Sequence, residues 1–202
     1  MNTCKESYIK WLPILLLILA VIWPGHAFAH QETGTALGFS SGFLQPVTGF
    51  DHVIAMIAVG LWGGQLGKPA IWLLPVTFPV VMAFGGMLGV RGVPLPGVET
   101  GIALSDITLG AVIAFNAKPK LWIAAVIVGI FAVFHGYAHG AELPNAANPL
   151  AYAAGFVIST GLLHVTGILI GLILIMPWGM KVVRVIGTLI SLTGFYFLYT
   201  IL

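Results

Sequence analysis

The sequence predicts an all-α fold, a polytopic membrane bundle of six transmembrane helices after a cleavable signal peptide. Hydrophobic residues make up 59% of its 202 positions and charged residues only 7%, against roughly 25% charged in a soluble domain. Mean hydropathy is +1.05. Long apolar runs also follow one another with only short Gly/Pro breaks, which leaves no room for a separate soluble domain. The formal net charge of +2 is spread over those breaks and builds no basic stripe, so nucleic acid is excluded as a partner and the lipid bilayer is the expected one. Cys4 is the single cysteine and precedes the first apolar run. A disulfide framework or a thiolate metal site is therefore excluded, and any metal must be held by nitrogen and oxygen.

Residues 1–29 read as a signal peptide. Lys5 and Lys10 precede an apolar stretch from Trp11 to Trp23, Pro24-Gly25 breaks it, and Ala27-Phe28-Ala29 supplies a small-residue cleavage site before His30. Residues 30–202 form the expected transmembrane domain. The stretch Ala36 to Gln45 is moderately apolar, and Pro46 interrupts any helix that runs through it, so two readings stand: a broken first helix or a surface loop. Six spans follow over 47–66, 69–89, 98–116, 120–140, 150–176 and 182–202, because each run reaches the length needed to cross the hydrocarbon. The joints carry Gly and Pro, as in Gly67-Lys68-Pro69 and Pro177-Trp178-Gly179, and their shortness makes neighbouring helices antiparallel. With the mature N-terminus outside, Lys68, Lys118, Lys120, Lys181 and Arg184 fall in inner loops and Arg91 alone in an outer one. The positive-inside rule then puts both termini on the outer, periplasmic side of a cytoplasmic membrane.

An ionisable side chain inside hydrocarbon costs about 2.5 to 3.5 kcal/mol on insertion scales and normally faces a partner, a cavity or a transport path. Here these are Asp51, His52, Asp106, His135, His139, Glu142 and His164. His135 and His139 are four apart and share one helical face, with Glu142 about a turn further on, a layout that suits either a metal ion or a proton relay. Gly136 and Gly140 beside them permit close helix approach or open space for an ion. Asp51 and His52 are adjacent and diverge by about 100° in a regular helix. Either one ligates while the other orients it, or a start after the Pro46 to Gly49 break lets both converge. The competing assignment makes Asp51 a helix cap and His52 an interfacial hydrogen bonder. His164 and Asp106 are secondary candidates. A lone histidine in a span is more often an interhelical hydrogen bonder, and Asp106 has both His52 and His164 within its choice of partners.

The segments "QPVTGFDHVIAMIAVGLWG" and "FHGYAHGAE", with six spans after a signal peptide, resemble the HupE/UreJ family of hydrogenase and urease accessory membrane proteins. The resemblance extends through "VETGIALS" and "GFVISTGLLHVTG". It implies a nickel permease, in some members for cobalt, that supplies hydrogenase or urease maturation proteins. It assigns metal-binding roles to Asp51 and His52 in the first motif and to His135, His139 and Glu142 in the second. The family's first motif usually opens with His before the proline, where this chain has Gln45, a carbonyl-oxygen donor and a poorer ligand for nickel. Mixed imidazole and carboxylate ligands suit Ni²⁺, Co²⁺ or Zn²⁺. No G-x-x-x-x-G-K-[ST] signature is present, which excludes direct drive by ATP on this chain. The expectation is therefore a permease with Ni²⁺ or Co²⁺ as substrate, no permanently bound cofactor and no enzymatic activity. The alternatives are an intramembrane zinc hydrolase and a metal-binding assembly or sensor protein.

Overall fold

The computed structural model describes residues 35–142 and 148–202; the signal-peptide assignment and His30 lie outside them. The described residues are all-helical: α1 Thr35–Thr48, α2 Phe50–Leu66, α3 Ala70–Val90, α4 Val98–Ala114, α5 Leu121–Ala141, α6 Pro149–Gly171 with a 3₁₀ turn Leu172–Ile175, and α7 Gly179–Ile201. Each of the six expected spans coincides with a helix. Local chemistry sets several of their ends. Asn148 caps α6 by accepting hydrogen bonds from the Leu150 and Ala151 amides, with Pro149 in the first turn where its missing N–H costs nothing. Gly97 opens α4 in the left-handed region at φ 70°, a conformation that glycine adopts freely.

The region before the first expected span is helical, and the break falls at Gly49 instead of Pro46. Pro46 lies in the last turn of α1, where the helix is about to end and one lost hydrogen bond matters least. Gly49 is extended at φ −96°, ψ 118°, and the chain turns by 83° between Gly38–Thr48 and Phe50–Leu66. The start of α7 is a second correction. It begins at Gly179, so Lys181 and Arg184 lie in its first turns and not in a loop. Arg184 Nε donates to the Ala114 carbonyl at 2.7 Å, satisfying an acceptor that the end of α4 leaves open.

Helices α3, α5 and α7, together with α6 continued through its 3₁₀ turn, are long and apolar enough to cross a membrane singly; α1 and α2 qualify together as a bent pair. Large apolar side chains such as Trp72, Val80, Phe84, Ile130 and Leu189 are exposed along these helices, as lipid-facing surfaces require. α4 is shorter, at 17 residues, and carries Glu99 and Asp106. The protein is thus a multi-pass helical membrane protein.

The helices pack in pairs, α3 along α5, α4 along α7 and α6 along both α1 and α2, while α2 also touches α3, α4 and α7. α2 is the central element, with ten of its 17 residues buried, among them Met56, Leu61 and Trp62. Backbone contact holds the pairs together. At the α3/α5 crossing a Cβ on Gly85 would strike the Val133 carbonyl, one on Gly136 the Met82 carbonyl, and one on Gly140 the Gly86 carbonyl. The small-xxx-small spacing of Gly136 and Gly140 therefore serves close helix approach, the first of the two uses open to it.

Candidate metal-ion site

The packing brings the first turn of α2 against the last two turns of α5, so the two polar motifs meet. The His52 ring lies 4.7 Å from that of His135 and 4.5 Å from that of His139, centroid to centroid, edge to face in both cases. His135 is fully buried and His139 nearly so. The Phe78 ring covers His135 at 5.5 Å, and Phe156 covers His139 at 4.6 Å. Three imidazoles from two helices thus share one apolar pocket near the end of the bundle.

Hydrogen bonds decide which nitrogen of each ring is free. Asp51 Oδ1 lies 2.9 Å from His52 Nδ1 and also accepts the His52 amide at 2.9 Å. The carboxylate accepts, so Nδ1 carries the proton and Nε2, buried and without a partner, carries the lone pair. Ser105 gives its only proton to the Ile102 carbonyl at 2.6 Å. It can therefore only accept from His135 Nε2, 2.9 Å away, which leaves the lone pair on the buried, unpartnered Nδ1. Both nitrogens of His139 are buried without a hydrogen-bond partner. Buried polar atoms are nearly always paired, and lone pairs left open in one pocket are what a cation would use.

Asp51 is not the cap of α2: that position is Gly49, which makes no side-chain capping bond. Its carboxylate takes one of the orphan first-turn amides and orients His52 at the same time. Among the described residues no group of three or more His, Cys, Asp or Glu side chains forms a ready coordination shell. The imidazoles meet ring to ring and would have to rotate for their lone pairs to converge.

The other candidates are distributed around this centre. Glu142 is exposed, at the C-cap of α5, where it accepts a 2.6 Å hydrogen bond from Gln45 Nε2. That bond ties the end of α1 to the end of α5 at the rim of the histidine pocket. Asp106 is fully buried on α4 beside Gly194, and neither of its oxygens has a hydrogen-bond partner, so it pairs with neither His52 nor His164. His164 is buried on α6 with no hydrogen-bond partner at either ring nitrogen, and the Phe78 ring lies 5.6 Å from its own, centroid to centroid. A cleft of about 470 Å³ between α3, α5 and α6, lined by Met82, Gly86, Arg91, Tyr152 and Phe156 among others, has His139 of the cluster in its wall.

Residues 17–197 match the family model described as HupE / UreJ protein. The chain belongs to the HupE/UreJ family. It is 43% identical over 185 residues to Protein HupE of Rhizobium leguminosarum bv. viciae, an alignment covering 92% of this chain and 96% of that protein. No solved structure matches it. Within this member of the family, Ser105, Phe78 and Phe156 are parts of the pocket that sequence reasoning missed. Serine and phenylalanine are ordinary in apolar spans, and only the helix pairing shows that these three face the histidines.

Proposed function

We propose that this protein is a secondary permease that carries a divalent transition-metal cation, Ni²⁺ in the first place and Co²⁺ as the alternative, across the cytoplasmic membrane to feed metalloenzyme maturation. The observation that carries the proposal is the buried convergence of His52, His135 and His139, each with an unpartnered ring nitrogen. Neutral imidazoles suit these ions, and membership of the HupE/UreJ family supports the same reading. In this reading residues 1–29 are the signal peptide, residues 30–202 span the membrane six times, and both termini face the periplasm. Asp51 supplies the negative charge that offsets a dication in a low dielectric and fixes His52 in the tautomer whose Nε2 ligates. His135 and His139 rotate from their edge-to-face positions against His52 to complete the shell. Gln45 and Glu142 at the rim receive the ion first, through a carbonyl and a carboxylate oxygen.

The test is flux. Purified protein in liposomes loaded with a nickel-sensitive dye should admit Ni²⁺, and His135→Ala and His139→Ala should each lose most of that uptake while remaining in the bilayer. Metal-dependent hydrolysis without flux would make the protein an enzyme instead, and tight binding without flux would make it an assembly or sensor protein.

A further inference from the structure

Phe78, which touches His135, also touches a second group of buried polar atoms that the pocket just described does not use. His164 is 1% exposed and neither ring nitrogen has a hydrogen-bond partner. Thr160, one turn before it on the same face of α6, is fully buried, and its hydroxyl is also unpartnered. That is unusual for this protein, in which Thr166, Thr188 and Thr193 each donate to the carbonyl four residues back, at 2.9 to 3.0 Å. Such back-bonding is the ordinary resting place of a helical threonine. The third group comes from α3. Pro79 has no N–H, so the Pro75 carbonyl loses its regular helical donor, and this carbonyl lies within interaction range of the His164 ring. A buried imidazole thus has a released carbonyl from α3 beside it and an unpartnered hydroxyl one turn away on its own helix.

From this arrangement we infer that His164, Thr160 and the Pro75 carbonyl form a second, inner binding station for the same dication, separated from the outer histidines by the Phe78 ring. One nitrogen and two neutral oxygens bind a transition-metal ion more weakly than three imidazoles backed by a carboxylate. A weak inner station accepts the ion and lets it go. Phe78, 5.5 Å from His135 and 5.6 Å from His164, keeps the stations distinct, and its ring offers a passing cation a π face. The station's part in passage rests on the permease reading; its existence as a binding site does not.

Binding and flux measured separately keep the two apart. Calorimetric titration of the full-length protein in nanodiscs with Ni²⁺ should resolve two sites. His164→Leu should retain only the tighter one and His139→Ala only the weaker. Thr160→Val, a near-isosteric change that keeps the fold if His164→Leu does not, should weaken the second site about five- to tenfold for the loss of one polar contact. A single site in the parent that His139→Ala removes entirely would overturn the inner station, as would a parental isotherm from both His164→Leu and Thr160→Val. Two-site binding with no flux in the parent would leave the station standing and the permease refuted. Parental flux and isotherm in both variants would do the reverse.

Discussion

At the scale of single residues, the chemistry turns on which ring nitrogen is free, and two hydrogen-bond acceptors settle it. Asp51 fixes His52, and the charge of that carboxylate is separable from its shape. Asp51→Asn keeps an acceptor oxygen and serves a helix start as well as aspartate does, but removes the negative charge. Nickel uptake in liposomes should fall more than tenfold, a free-energy loss above about 1.4 kcal/mol, while the thermal midpoint in detergent stays close to the parent's. Uptake equal to the parent's would reduce Asp51 to a service of the helix terminus. Ser105 makes the same point through its hydrogen bond to His135 Nε2. Ser105→Ala leaves His135 free to take either tautomer, and calorimetry should show a 10- to 100-fold weaker outer site, the usual cost of losing an orienting partner. An unchanged affinity would mean that His135 is positioned by packing alone. Asp51, His52, His135 and His139 were legible in the sequence because ionisable groups in apolar spans stand out against their neighbours. Glu142 read as a continuation of the His135/His139 face, yet the helix ends there and its carboxylate turns to Gln45. The orienting role of Ser105 depends on how α4 is rotated against α5, which hydropathy does not encode.

At the scale of helices, apolar run length and Gly/Pro punctuation placed a helix at each expected span within a few residues, of which four, or five with the bent α1/α2 pair, are long and apolar enough to cross a membrane. What they left open was the partner of each helix. Pairing is written in glycine spacing, and glycines in this chain are numerous enough, 26 in all, that spacing alone names too many partners. The position of the bend escaped for a different reason: a proline in the last turn of α1 costs little, so the break moved on to Gly49. The α3/α5 pair carries the clearest mechanical prediction. Gly136→Leu drives a side chain into the Met82 carbonyl, and backbone cannot swing aside as a side chain can. The variant should be destabilised by more than about 2 kcal/mol, seen as a lower thermal midpoint in detergent, and should lose nickel binding because His135 and His139 ride on the same helix. Gly161, with nothing within 4 Å of an added Cβ, is the control: Gly161→Ala should match the parent in both measurements. A Gly136→Leu protein as stable as the parent would mean that the two helices can separate without cost.

At the scale of the whole molecule, the proposed permease has proton and metal competing for the same imidazoles. Ligation needs neutral rings, and an ordinary histidine takes up its proton near pH 6.5, so protonation opposes loading as the outer medium acidifies. Uptake should fall as the outer medium is acidified, followed as initial rates in liposomes with the interior buffered at about pH 7.5. A profile that stayed flat until the protein unfolded in acid would remove histidine from the ligand set. The two helices that hold the interior differ from those around them in another way. α2 and α4 are each 17 residues long, about 25 Å at 1.5 Å per residue, whereas the surrounding hydrocarbon is about 30 Å thick. If α4 crosses the bilayer as proposed above, it is shorter than the helices around it, and lipid next to it has to compress or water has to reach toward Asp106. For the permease proposed above, a compressed bilayer would shorten the low-dielectric stretch in the path of the dication, and lipid chain length becomes a term in its rate: nickel should enter liposomes of 14-carbon lipids faster than liposomes of 20-carbon lipids, with elastic mismatch setting the difference.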